Sequence, residues 1–132
     1  MADVSVGGEI QELRVTPDKY LPHRYAGASG DFNPIHIDPE FAKSVGLPGN
    51  ILHGLYSMGV VARAIGDAAG GSMKLKRLSV QFRGMGLPEQ EIVVTGSVLE
   101  ERDGRLVIAA RAEQGDTAIV KNAEAEVDAD HP

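Results

Sequence analysis

The sequence has no cysteine among its 132 residues. Disulfides, thiolate nucleophiles and zinc–thiolate sites are therefore excluded. Basic residues are scarce: 13 Lys and Arg stand against 19 Asp and Glu, for a net charge of -6 and a pI near 5.1. That balance argues against a nucleic-acid partner and gives no attraction to an anionic membrane. An anionic substrate would need a local basic patch. No stretch approaches the roughly 20 apolar residues of a membrane span. The opening residues, MADVSVGGEI, carry neither a basic region nor an apolar run, so no signal peptide is expected and the cytoplasm is the default location.

What is present suits one globular domain. The hydrophobic fraction is 42% and the charged fraction 24%, enough to build a core in a chain of this length. EIQELRV, residues 9–15, alternates apolar and polar residues and predicts a strand. Leu21 to Ser29 predicts a short helix with Pro22 in its first turn and Gly30 as its stop. DPEFAKSVG predicts another, with Asp38 as cap, Pro39 at the first helical position and Gly46 closing it. Ile51 to Gly70 predicts the longest helix, with Leu55, Met58, Val61, Ala62 and Ile65 on one face and its glycines serving close packing against a sheet. LKRLSVQFR places Leu78, Val80 and Phe82 on one strand face. Asp103-Gly104 and Gly115-Asp116 mark turns between three further strands. A long apolar helix needs cover, and an antiparallel sheet curled around it is the economical answer. The tail, residues 128–132, is expected to fray.

The densest chemistry lies in ASGDFNPIHID, Ala28 to Asp38. Pro34 restricts both itself and Asn33, so the segment is expected to be a stiff loop rather than a helix. Such a loop can present Asp31 and His36 toward one point, and an Asp beside a His can handle a water proton near neutral pH. The plainer reading stands beside it: Gly-Asp-x-Asn-Pro is good turn chemistry, and His36 between two isoleucines suits a core position. A second element is LHGL at the start of the long helix. The first amides of a helix lack internal partners, and Gly54 leaves them open to a carbonyl oxygen gaining negative charge. Gly54 could equally serve only tight packing, and His53 is expected to be structural rather than a ligand. An acid–base pair with an oxyanion site suits chemistry beside a carbonyl, such as water adding to an α,β-unsaturated thioester or its reversal.

Tyr25 to Ala64 closely resembles the MaoC-like dehydratases and (R)-specific enoyl-CoA hydratases. The resemblance rests on Tyr25, Ser29, Gly30, Asp31, Asn33, Pro34, Ile35, His36, Asp38 and Ala42, followed by LHG. It implies an α+β hotdog domain spanning residues 1–132, an antiparallel sheet wrapped around one central helix. It implies that Asp31 and His36 are catalytic and act on one water, and that the Gly54 N–H contacts the thioester carbonyl. Ser29, Asn33, Pro34 and His53 are expected to support the loop. No metal or redox cofactor is implied; the acyl group rides on CoA or on the phosphopantetheine of an acyl carrier protein, with (R) configuration at the 3-hydroxyl. A homodimer, or a heterodimer with a related hotdog subunit, is implied as well. A non-catalytic acyl-binding or partner subunit and a hotdog thioesterase are the competing readings. The chain departs from the family pattern at Glu89-Gln90, where Gly-Asp is common, and at Asn122, where Gly is common.

Overall fold

A computed structural model describes residues 5–129. The elements follow in the order β1 (Leu13–Val15), α1 (Leu21–Ser29), α2 (Pro34–Ile37), α3 (Pro39–Ser44), α4 (Gly54–Ala69), β2 (Leu75–Phe82), β3 (Ile92–Arg102), β4 (Arg105–Gln114) and β5 (Thr117–Asp128). The strands form one antiparallel sheet in the order β1-β3-β4-β5-β2. The core forms where α4 meets this sheet: Val61 and Ile65 of the helix are fully buried with Ile92, Val94, Ile108, Ala125 and Val127 of the strands. Each of the Val and Ile side chains contributes about 1.5–3 kcal/mol on leaving water. This is the helix-in-sheet architecture expected for a hotdog domain. No helix among the described residues is long and apolar enough to cross a membrane.

Local chemistry sets the boundaries. Gly30, at φ 80°, takes the left-handed conformation that ends α1, and its N–H bonds the Ala26 carbonyl. The Asp38 carboxylate accepts from the Glu40 and Phe41 amides and starts α3, with Pro39 first in the helix. The β3–β4 hairpin turns on Asp103 and Gly104, both at positive φ, between the paired Arg102 and Arg105.

Four expectations need correction. The strand over residues 9–15 is broken: Leu13–Val15 pairs with β3, but Glu9 pairs with Ser97 one residue out of that register. Ile10 uses the break to turn into the core. The buried arc of α4 runs through Ser57, Val60, Val61, Ala64, Ile65 and Ala68, whereas Leu55 is 64% exposed and Met58 and Ala62 only half-buried. Periodicity alone allowed either arc. The helix glycines do not all serve the sheet. A Cβ at Gly66 would stand 3.2 Å from Ser72 Cα, where the chain doubles back, and one at Gly59 would meet open space. Lastly, Asp128 is no frayed tail: it pairs with Arg105 across the β4–β5 ladder, and the Ala129 N–H bonds the Gly104 carbonyl. Residues 130–132 lie outside the described residues.

Both departures from the family pattern take left-handed backbone. Asn122, at φ 51°, sits in a β5 bulge where the register shifts against both β2 and β4. Asn tolerates this conformation, and its amide donates to Gln81. Glu89, at φ 67°, gives its N–H to the Pro17 carbonyl.

Candidate active site

Asp31 leaves α1 immediately after Gly30 and is held by short-range bonds. Its N–H donates to Ser29 Oγ at 3.2 Å, and its Oδ1 accepts the Asn33 N–H at 3.2 Å. Asn33 Oδ1 in turn accepts the Ile35 N–H at 3.1 Å. The expected stiff loop is in part a helix: Pro34–Ile37 forms one turn, capped by Asn33. The physical reason is that Pro34 drives Asn33 to an extended ψ of 127°, which is cap geometry, while Pro itself is well suited to the first helical position. The turn delivers His36 inward. His36 is buried, and Asp31 keeps 54% of its side chain exposed.

The tautomer of His36 follows from its partner. Nδ1 lies 2.8 Å from the Ile51 carbonyl oxygen. A carbonyl only accepts, so Nδ1 carries the hydrogen and Nε2 of the uncharged ring presents a lone pair. That Nε2 lies 3.9 Å from Asp31 Oδ2. The gap is too long for a direct hydrogen bond and suits one water held at ~2.8 Å from both atoms. Ile51 is itself held, since its N–H donates to the Ile35 carbonyl at 3.2 Å and Asn50 Nδ2 reaches the same oxygen at 3.3 Å.

His53 is the N-cap of α4, one residue before Gly54. Its ring stacks on His36 with centroids 3.8 Å apart and planes at 19°. Gly54 follows His53 directly, and its amide has no acceptor inside the helix. The Phe82 ring lies 3.4 Å from where a Gly54 Cβ would stand. Phe32, Leu55 and Phe82 are exposed apolar side chains; Phe32 follows Asp31 and Leu55 follows Gly54 in the chain. Tyr25 lies 4.7 Å from the His53 ring and Tyr56 lies 5.9 Å from Tyr25. Burial pushes the Tyr56 phenol up, which keeps it protonated.

Donor atoms of Asp31, His36 and His53 all lie within 4.8 Å of one another, a set that could hold a metal ion. The ring geometry disfavours one. A bound ion lies close to the plane of each imidazole at about 2.1 Å from its nitrogen, and two planes stacked at 19° do not meet near the nitrogens. The arrangement suits proton handling better.

Hydrogen bonds and ring contacts link Ser29, Asp31, Asn33, His36 and His53, with Pro34 and Gly54 next to Asn33 and His53 in the chain. Sequence reasoning missed three supports. Ile51 acts through its backbone carbonyl, which leaves no side-chain signal. Asn50 stands outside the recognised motif and was not singled out. Gln114, buried on β4, accepts the Leu87 N–H at 2.8 Å and donates to the Leu87 and Gln90 carbonyls at 2.8 and 3.0 Å. The segment it clamps accepts the Leu52 N–H at Gly86 O, 2.8 Å, directly before His53.

The MaoC like domain family matches residues 7–120. The fatty acid synthase beta subunit TOXC of Cochliobolus carbonum is 40% identical over 106 residues, covering 75% of this chain and 5% of that protein. The peroxisomal hydratase-dehydrogenase-epimerase of Neurospora crassa is 38% identical over 84 residues, 64% of this chain and 9% of that protein. The chain thus spans only a small part of these curated relatives. Among solved structures, a MaoC-like dehydratase superposes with a TM-score of 0.91 at 27% identity, covering 97% of this chain and 41% of that one. Motif, hotdog architecture and family match agree: the chain belongs to the MaoC-like domain family.

Proposed function

We propose that this chain catalyses the reversible hydration of trans-2-enoyl thioesters to (3R)-3-hydroxyacyl thioesters, carried on CoA or on an acyl carrier protein. The observation that carries this reading is the 3.9 Å approach of Asp31 Oδ2 to His36 Nε2, the ring nitrogen left free by the Nδ1–Ile51 bond, beside the N-terminus of α4. In the hydration direction a water between these atoms gives up a proton to the pair as its oxygen bonds Cβ. The π electrons move toward the thioester carbonyl, and the charge on its oxygen meets the Gly54 N–H and the positive end of α4. The pair returns a proton to Cα, so water is added and nothing else is consumed. Asp31 and His36 act as one unit through the shared water, and the acid and base roles are not divided between them. None of these steps uses a metal or redox cofactor.

A second hotdog chain fits the reading. The β2 edge of the sheet is eight residues long, and an unpaired edge is a template for another strand. We therefore propose a homodimer, or a heterodimer with a related subunit.

The test is hydration of crotonyl-CoA by the purified protein, followed as loss of enoyl-thioester absorbance, with a thiol reagent in a parallel reaction. Absorbance loss without thiol release supports the hydratase. Thiol release would assign a thioesterase instead. No reaction with crotonyl-CoA, longer enoyl-CoAs or enoyl-acyl carrier protein would favour a non-catalytic subunit.

A further inference from the structure

The His53 side chain touches both members of the acid–base pair, the backbone of Asp31 and the ring of His36. Its ring face lies on the His36 ring. Its Nε2 lies 3.0 Å from the backbone carbonyl oxygen of Asp31, which can only accept, so Nε2 is the donor. The ring is 2% exposed, with Tyr25 packed at 4.7 Å. Its other nitrogen, Nδ1, is buried and has no hydrogen-bond partner among the described residues. A buried polar atom without a partner costs stability that a purely apolar ring in the same place does not. Ring coverage alone therefore does not account for an imidazole here, since a phenyl ring would also cover His36 and carries no unpaired nitrogen. What the imidazole adds is the bond to the Asp31 backbone.

We propose that His53 is a positioning residue for the hydration reaction. Its Nε2–H fixes the Asp31 end of the pair and its face fixes the His36 end, so that one rigid ring at the start of α4 sets the separation of the two proton-handling atoms. The same residue leads directly into Gly54, which ties that separation to the oxyanion donor. The proposal rests on the hydratase reading above.

Two variants separate the ring from its donor. His53→Phe keeps a ring face and loses the donor, and also removes the unpartnered nitrogen. His53→Gln keeps an N–H at about the reach of Nε2 and loses the ring. Both are compared with wild type by crystal structure, thermal unfolding, and kcat and KM for enoyl-thioester hydration. The expectation for His53→Phe is unfolding at or above the wild-type temperature, KM within about twofold, and an Asp31–His36 separation altered by roughly 1 Å. A displacement of that size lowers kcat by up to about 100-fold. His53→Gln is expected to restore much of the lost kcat despite lower stability. Wild-type kcat in His53→Phe overturns the proposal. So does failure of His53→Phe to fold, because the bond to Asp31 would then serve folding rather than positioning. Loss of kcat in His53→Gln as deep as in His53→Phe overturns it as well. If the wild type hydrates no enoyl thioester, the hydratase reading fails by itself. The crystal structures then decide positioning, with an unchanged separation in His53→Phe overturning it.

Discussion

Replacing Gln114 by Ala removes a clamp that acts on the site from a distance. The side chain is 5% exposed and makes three bonds to the 87–90 segment. Two of its partners are the N–H and carbonyl of the half-buried Leu87; the third is the carbonyl of Gln90, which is exposed and can turn to water. Leaving a buried polar group unpaired costs about 1–3 kcal/mol. Two such groups, partly reached by water, give an expected loss of roughly 2–4 kcal/mol. Against a total stability of about 5–15 kcal/mol, that is a large fraction. For a chain of 132 residues, at about 4 °C per kcal/mol, the midpoint falls by roughly 8–16 °C. Thermal unfolding followed by circular dichroism reads this directly. Because the clamped segment also holds Leu52 next to His53, activity at a temperature where the variant is folded should fall too. A destabilisation under about 0.5 kcal/mol, typical of a neutral surface change, would refute the reasoning.

Glu89→Gly should stabilise the protein by about 0.5–1 kcal/mol in denaturant unfolding, because a left-handed non-glycine residue costs about 1–2 kcal/mol and glycine's added chain freedom offsets only part of that. A loss of stability would show that the Glu89 side chain makes an interaction in solution. Gly54→Val places branched atoms against Phe82 and over the helix amides. It should lower kcat roughly 100–1000-fold, the scale of losing an oxyanion donor, without loss of thermal stability, since Val is the better helix former. Glu126 is bonded by Arg105 and Arg77, each at 3.3 Å, and these guanidiniums hold its carboxyl below the usual range. A depressed folded-state pKa contributes stability above the unfolded-state value, and that contribution disappears as pH falls through the folded-state value. The unfolding-temperature difference between wild type and Glu126→Gln should therefore be present at neutral pH and vanish in acid. A difference independent of pH would contradict the assignment.

Local chemistry was legible where one residue decides the outcome. Gly30, Asp38 with Pro39, and Asp103-Gly104 each dictate a backbone conformation or satisfy a named amide, and the elements end where those residues stand. The turn that carries Asp31 was legible for the same reason, since Asp31, Asn33 and Pro34 build it from neighbours in sequence. Facts that depend on what comes across from elsewhere were not legible. Leu55 faces outward because α4 meets the sheet along another arc. The His36 tautomer depends on a carbonyl 15 residues away. The Gln114 clamp joins β4 to a connection before β3, and nothing in its neighbours marks it as buried.

The central claim is that Asp31 and His36 handle the protons of a water added to an enoyl thioester. The direct measurement is crotonyl-CoA hydration by wild type and by Asp31→Asn, with thermal unfolding of both. The account predicts an active wild type and a folded variant slower by about 10²–10⁴-fold, the scale of acid–base catalysis. A folded Asp31→Asn that matches an active wild type would contradict it and leave the loop a structural turn.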